Sequence, residues 1–217
     1  ILRNLAKSVE EKMTEKGITA ADVVGVGIGV PGPVVEDRYV PVCANLGGWG
    51  DVDVSANLSA LLDGIPVKTG NDANMAALGE IWMGTAKGCK NMVLVTLGTG
   101  VGGGVIVDGK VICGAHGAGG EIGHITVKRG ETAVCGCSKH GCLEQYSSAT
   151  GIVRCMKKLL DGSEAPSMLR DKDFSAKDIF DAARAGDKLA LKELDDYADM
   201  LGFALAAIAE TADPEMF

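Results

Sequence analysis

The part of this chain best suited to chemistry is a short segment in which potential metal ligands alternate with carboxylates. The ligands are one histidine and three cysteines: His124, Cys135, Cys137 and Cys142. One imidazole nitrogen and three thiolates are the ligand types of a closed tetrahedral zinc site, which leaves no coordination position open for chemistry. The pattern therefore predicts a structural zinc. Because Glu121 and Glu144 flank the ligands, folding around the metal would fix two carboxylates that can bind hydroxyl groups.

The same three cysteines could instead form a disulfide with one spare thiol, or pack as buried thiols. The remaining cysteines are scattered beside apolar residues: Cys43, Cys89, Cys113 and Cys155. The total of seven is odd, and the chain shows no secretory signal peptide, which disfavours an oxidised framework. We therefore expect a reducing, cytoplasmic compartment.

Composition and charge favour small-molecule chemistry. Hydrophobic residues make up 47% of the chain, yet no apolar run reaches the ~20 residues of a membrane span. The formal net charge of -8 at pH 7 opposes the neutralisation of phosphates along a nucleic acid. We therefore expect neither a membrane nor a nucleic-acid partner.

Two glycine-rich stretches match the spacing of the dinucleotide-binding fingerprint, but neither is followed by the helix that this motif requires. The first, over 27–32, runs into Pro31-Gly32-Pro33, which forbids a helix. The second, over 98–104, leads into a hairpin predicted around Asp108-Gly109. Its amide groups and the Thr99 hydroxyl could bind a nucleotide phosphate, whereas the alternative is a tight structural hairpin.

Asp72 is the candidate catalytic carboxylate. It follows a strand predicted over 65–68 and precedes a helix predicted over 73–82, which places it at the mouth of an α/β cleft. Taken alone, helix capping by Asn71 or Asp72 is the simpler role. Phosphoryl transfer to a hydroxyl would need a phosphate loop, a carboxylate and a polar pocket together, and that combination favours catalysis.

Alternating strands and helices predict an α/β architecture of two lobes, comprising residues 1–90 and 91–217. Residues 45–51 are predicted to form a loop. The remaining helices are predicted over 1–16, 54–62, 144–161, 176–185 and 187–211, and the remaining strands over 23–30, 91–96, 105–107 and 110–112.

Five ordered motifs resemble the ROK family (repressor, open reading frame, kinase), and most of all its bacterial ATP-dependent glucokinases. They are Gly-Val-Pro-Gly-Pro-Val at 29–34, Asn-Asp-Ala-Asn at 71–74, Leu-Gly-Thr-Gly-Val-Gly-Gly-Gly at 97–104, Gly-Glu-Ile-Gly-His at 120–124 and Cys-Gly-Cys with Gly-Cys-Leu-Glu at 135–144. The resemblance implies the actin-like (ribonuclease H-like) sugar kinase fold, with two lobes closing over a cleft.

The resemblance also implies a role for each matching residue. Asp72 matches the general base that takes the proton from the sugar 6-hydroxyl as it attacks MgATP. The implied hexose-binding set is Asn71, Asp72, Glu121, His124 and Glu144. The implied phosphate loop comprises Gly98, Thr99, Gly100, Gly102 and Gly103. The cluster of one histidine and three cysteines matches the family's zinc ligands, which gives His124 a role at both metal and sugar.

The implied reaction is ATP-dependent phosphorylation of a hexose, above all glucose to glucose 6-phosphate, by a homo-oligomer of two or four subunits. The chain begins after the family's Asp-x-Gly-Gly-Thr strand and stops before its adenosine-binding segment. We therefore expect a chain truncated at both ends, with little or no kinase activity alone. Alternatives are a kinase for fructose, allose or an N-acylated amino sugar, a sugar-responsive transcriptional repressor, and a partial product that binds sugar or zinc without catalysis.

Overall fold

The computed structural model describes residues 1–43 and 46–217, and they form an α/β protein. The chain divides into two compact units. The first comprises residues 1–88, 104–106 and 110–120, and the second comprises residues 89–103, 107–109 and 121–217. The lobes of 1–90 and 91–217 remain a prediction.

The first unit contains a parallel pair of strands, an antiparallel pair of strands and three helices among its elements. Its elements up to residue 88 are, in order, α1 (Leu2–Lys16), β1 (Val26–Val30), β2 (Tyr39–Cys43), β3 (Trp49–Asp53), α2 (Val54–Leu61), β4 (Val67–Asn71) and α3 (Asp72–Met83). Strands β1 and β4 pair in parallel with Val30 opposite Asn71, so both strands end at the same edge. Helix α1 ends at Gly17, whose φ of 65° is the left-handed conformation of a helix C-cap.

An antiparallel hairpin of β2 and β3 replaces part of the loop predicted over 45–51. Asn45 lies outside the described residues, whereas Trp49 to Asp51 pair with β2, so this part of the prediction is wrong. A Cβ at Gly50 would lie 2.5 Å from the Cα of Val42, which shows how closely the two backbones approach. Gly50, which has no side chain, therefore permits strand pairing here.

The elements after residue 88 begin with strands and continue with helices. They are β5 (Met92–Leu97), β6 (Val101–Val107), β7 (Lys110–Val111), α4 (Glu144–Ser147), α5 (Ala149–Asp161), α6 (Ala176–Arg184) and α7 (Lys188–Ala212). The three strands form a sheet in the order β5-β6-β7. Asp108 and Gly109 have φ angles of 50° and 72°, so the predicted hairpin is confirmed.

The single helix predicted over 144–161 is wrong, because it is interrupted at Ser148. That residue has extended backbone angles, with φ −90° and ψ 165°, and its hydroxyl accepts a hydrogen bond from the Gly151 amide. Ser148 thus ends α4 and caps α5. Its side-chain hydrogen bond competes locally with continuation of a single helix. The break gives α5 an amino-terminus of its own.

Helices α5, α6 and α7 pack around an apolar core in the second unit. Its fully buried members include Ile152, Met156, Ile179 and Ala190. Asp187 caps α7 by accepting hydrogen bonds from the amides of Leu189 and Ala190. Within 1–43 and 46–217, the helices are all too short or too polar to cross a lipid bilayer.

Candidate functional site

The structure brings the predicted metal ligands together in the second unit. One ligand atom from each of the four lies within 4.8 Å of every other, in the set His124, Cys135, Cys137 and Cys142. The Nδ1 atom of His124 is 3.7 Å from the Sγ of Cys135, and the Sγ atoms of Cys137 and Cys142 are 3.6 Å apart.

These spacings match a tetrahedral zinc. With Zn–S near 2.3 Å and Zn–N near 2.0 Å, tetrahedral angles put two sulfurs about 3.8 Å apart and a sulfur and a nitrogen about 3.6 Å apart. Burial raises the pKa of Cys142 to about 12 and also raises that of Cys135. A divalent cation would supply the positive charge that buried thiolates need, so the residues present fit zinc with proton release on binding.

Tight turns fold the segment between the ligands. Gly141 has a φ of 71°, and a Cβ there would lie 1.8 Å from the Lys128 carbonyl oxygen, so only glycine fits. Ser138 also has a positive φ, of 67°. The Lys139 ammonium donates a hydrogen bond of 2.8 Å to the His124 carbonyl. These contacts pull the chain into a loop that closes around the ligand atoms.

The His124 ring lies between the cluster and a carboxylate. While Nδ1 is close to Cys135, Nε2 is 4.0 Å from the Glu121 Oε2 atom. His124 ends a short 3-10 helix, Ile122–His124, which Glu121 immediately precedes. A ring with one nitrogen near the metal ligands and the other near an acid is oriented as metal-bound histidines usually are.

The glycine-rich stretch divides into a turn and a strand. Gly98, Thr99 and Gly100 form the turn between β5 and β6, whereas Gly102 and Gly103 lie in β6. The Gly98 amide donates to the Gly100 carbonyl at 3.0 Å. Among the described residues, the amides of Thr99 and Gly100 donate no hydrogen bond. Two adjacent free amides at a glycine turn are suited to an anion.

Helix α5 donates two hydrogen bonds to carbonyl oxygens of this turn. The Ala149 amide donates to the Gly98 carbonyl at 2.8 Å, and the Thr150 hydroxyl donates to the Thr99 carbonyl at 2.7 Å. Sequence reasoning missed both residues. The Ser147-Ser148-Ala149-Thr150-Gly151 run, rich in helix-capping types, is the signal that a helix begins there.

Glu144 contacts both the glycine turn and the cluster of four potential metal ligands. Its Oε2 accepts a hydrogen bond of 3.0 Å from the Val101 amide, and its Oε1 is 3.9 Å from the Cys135 Sγ. A Cβ at Gly100 would lie 2.1 Å from Oε2, so a side chain there would displace the carboxylate. Gly100 is therefore needed for close approach, since its φ is not in the left-handed region.

Asn71 and Asp72 lie in the first unit, at the carboxyl end of β4. Asn71 caps α3 by accepting a hydrogen bond of 3.0 Å from the Asn74 amide, and its Nδ2 donates to the Gly32 carbonyl at 3.1 Å. Asp72 is the first residue of α3 and is exposed; its Oδ1 accepts a hydrogen bond of 2.8 Å from the Ala73 amide. The capping role thus belongs to Asn71, which leaves the other Asp72 oxygen for solvent or a ligand.

A family model described as "ROK family" matches residues 2–217. A glucokinase of Halalkalibacterium halodurans is 40% identical over 99% of this chain. This chain spans 66% of that relative's length, which is less than two thirds. A xylose repressor of Caldicellulosiruptor bescii is 29% identical, over 100% of this chain and 54% of its own length.

The fold also matches a solved structure. A ROK family glucokinase from Streptomyces griseus, in complex with glucose and AMPPNP, superposes with a TM-score of 0.77 at 32% identity. The superposition covers 97% of this chain and 69% of that one. The α/β, actin-like fold expected from the sequence is therefore confirmed.

Proposed function

Because this chain belongs to the ROK family, we propose that the protein is an ATP-dependent hexose kinase that converts glucose to glucose 6-phosphate. The observation that carries the proposal is the turn at Gly98 to Gly100, where the Thr99 and Gly100 amides donate no hydrogen bond to any described residue. Helix α5 and Glu144 hold this turn beside the cluster of potential metal ligands. Phosphoryl transfer depends on positioning and charge stabilisation more than on covalent chemistry. A rigidly held turn with available amide donors would both position an incoming phosphate and stabilise its charge.

Asp72 is the proposed general base, and it takes the proton of the sugar 6-hydroxyl. An exposed carboxylate with one oxygen uncommitted can approach a hydroxyl, and its neighbour Asn71 can bind an adjacent one. MgATP supplies the phosphoryl group. Gly98, Thr99, Gly100, Gly102 and Gly103 are the proposed phosphate-binding set.

The zinc that we propose at the cysteine cluster is structural. Four protein ligands fill a tetrahedral coordination shell, so no position remains for substrate. The metal would fix His124 together with Glu121 and Glu144, and these three side chains are the proposed hexose ligands in the second unit. The similarity to a glucokinase solved with glucose supports this assignment.

Exchange of Asp72 for asparagine tests the base. ADP release is measured in a coupled assay on the purified protein with glucose and MgATP. Glucose affinity is measured separately by calorimetry. Asp72→Asn should keep glucose affinity and lose at least ~100-fold in kcat, the usual contribution of a general base. The exposed Asp63→Asn is the matched control, with expected full activity. Equal turnover by Asp72→Asn would remove Asp72 from the mechanism.

The same assay on a panel of hexoses decides the substrate, since fructose, allose and N-acylated amino sugars are the alternatives. We also propose a cytoplasmic homo-oligomer, a dimer or tetramer, which light scattering would measure.

A transcriptional repressor is the second candidate, and the similarity to a xylose repressor favours it. A repressor would bind its sugar and not phosphorylate it. Sugar binding without ADP release by the purified protein would therefore support the repressor over the kinase.

A further inference from the structure

A cavity of about 320 Å³ lies in the second unit, apart from the metal ligands and the glycine turn. Helices α5 and α7 supply much of its wall, with Tyr146 of α4 and the segment around Lys128. Small-molecule sites start at about this volume, so the cavity suits a small ligand.

Two of the acids in this cavity are already engaged by neighbouring donors. Glu131 accepts a hydrogen bond of 2.5 Å from the Tyr146 hydroxyl and others from the amides of Thr132 and Ala133. The Tyr146 bond and these amides lower the pKa of Glu131 to about 2. Asp196 pairs with Lys192 at 2.7 Å. These two charges are therefore compensated locally.

The cations of the cavity are engaged more loosely. The Arg154 guanidinium donates a hydrogen bond of 2.7 Å to the Gln145 carbonyl, and Lys128 and Lys158 act on the cavity's acids through longer-range attraction. In the part of the chain that the structure describes, Lys128, Arg154 and Lys158 make no ion pair with an acid within 4.0 Å. Lys128 and Arg154 lie 5.3 Å and 5.6 Å from the Tyr146 ring centroid, which fixes them around one aromatic side chain. With Glu131 and Asp196 engaged by other donors, three cations and the single acid Glu193 remain on this cavity, and that excess of positive charge favours an anionic ligand, above all a phosphate.

Besides the three cations, the cavity contains a buried acid, Glu193. It is 5% exposed and lines the cavity from α7. Residues 1–43 and 46–217 offer its carboxyl group no hydrogen bond. The Glu193 oxygens are not among the fully enclosed side-chain atoms that lack a partner, so they reach open space where a ligand or water can satisfy them. A hydroxyl of a ligand would do so, in either protonation state of the acid.

We propose that this cavity binds a small phosphorylated polyol of the sugar phosphate class, with its phosphate at Lys128, Arg154 and Lys158 and a hydroxyl at Glu193. The pairing of a cation trio with a buried acceptor distinguishes such a ligand from phosphate alone. Tyr197, which also lines the cavity, offers an aromatic ring for the carbon skeleton. The proposal does not depend on the kinase function, because no residue of the proposed catalytic site lines the cavity.

Calorimetric titration of protein saturated with glucose tests it with two probes, glucose 6-phosphate and inorganic phosphate, so that the proposed hexose site is already occupied. Glucose 6-phosphate should bind at least about tenfold more tightly than inorganic phosphate. Lys128→Gln and Lys158→Gln should each weaken it about fivefold or more. Both side chains are exposed, so the fold should be retained, which an unchanged melting temperature without ligand would verify. The neighbouring exposed Lys157→Gln, outside the cavity, is the matched control.

Asp72→Asn separates this site from the proposed catalytic one, and it should leave the affinity unchanged. Equal affinity for inorganic phosphate and glucose 6-phosphate would overturn the polyol assignment. Binding that is lost in Asp72→Asn and unaffected by both lysine variants would place the ligand elsewhere and overturn the site. A lack of hexose phosphorylation in the native protein would contradict only the kinase.

Discussion

Gly100→Ala should destabilise the second unit, although alanine is the better residue in most backbone conformations. The added Cβ would lie 2.1 Å from the Glu144 Oε2 atom. No non-bonded carbon and oxygen atoms tolerate that distance, so the carboxylate must rotate away. It then loses the hydrogen bond of 3.0 Å from the Val101 amide.

The expected cost follows from that bond. Val101 is 6% exposed, so water does not easily replace the carboxylate at its amide. Leaving a buried amide unpaired, and losing a hydrogen bond to a charged group, costs about 2 kcal/mol. For a chain of this size that corresponds to a fall of roughly 4–8 °C in the melting temperature.

Gly98→Ala is the matched control, because a Cβ at Gly98 meets nothing within 4 Å. Its unfolding free energy should change by less than about 1 kcal/mol. Urea unfolding at fixed zinc concentration measures both variants. In a Glu144→Ala background, Gly100→Ala should cost almost nothing, since the carboxylate that it displaces is gone. Equal midpoints for the two glycine variants, or full cost in the Glu144→Ala background, would refute the reasoning.

Three further predictions concern the metal, a buried acid and a helix cap. Cys137→Ser should lose the bound zinc, measured per chain by atomic emission, while the exposed Cys113→Ser retains it; equal zinc in both would remove Cys137 from the site. Burial raises the pKa of Glu193 to about 7, so the folded state binds a proton more tightly than the unfolded state. Stability should therefore fall by about 2 kcal/mol between pH 4.5 and 7, and Glu193→Gln, assayed by urea unfolding at several pH values, should flatten this slope. Asp187→Ala should cost about 3 kcal/mol in the same assay, because four donors lose one buried carboxylate; a loss below about 1 kcal/mol would contradict this.

Local signals predicted much of the fold. Residues close in sequence predict helix α1, which ends before Gly17, and they also predict the turn at Asp108-Gly109. The β2–β3 hairpin could not be predicted in this way, because its strands have only five residues each, β2 contains a proline, and their pairing is decided by tertiary contact. The break at Ser148 did leave a local signal, the capping residue types at 147–151, but the hydroxyl bond to the Gly151 amide that ends one helix and begins the next is seen only in the structure.

The candidate site shows the same division between types and contacts. Residue types and spacing identified the histidine and the three cysteines, and the structure brings their ligand atoms together. Residue types did not show that α5 binds the glycine turn, since Thr150 and Thr99 are 51 positions apart. Side-chain bonds across such separations depend on the packing of whole elements, and no local pattern encodes them.

Glu144 illustrates how such a contact alters the meaning of a motif. From sequence it is an acid beside a zinc ligand, suited to a sugar hydroxyl. In the structure one of its oxygens lies 3.9 Å from the Cys135 Sγ and the other accepts from the Val101 amide. The same carboxylate makes both contacts, so a displacement of the cysteine loop would also disturb the hydrogen bond at the start of β6. The proposed zinc would therefore order the glycine turn as well as its own loop, and it would influence the proposed phosphate binding without offering an open coordination position.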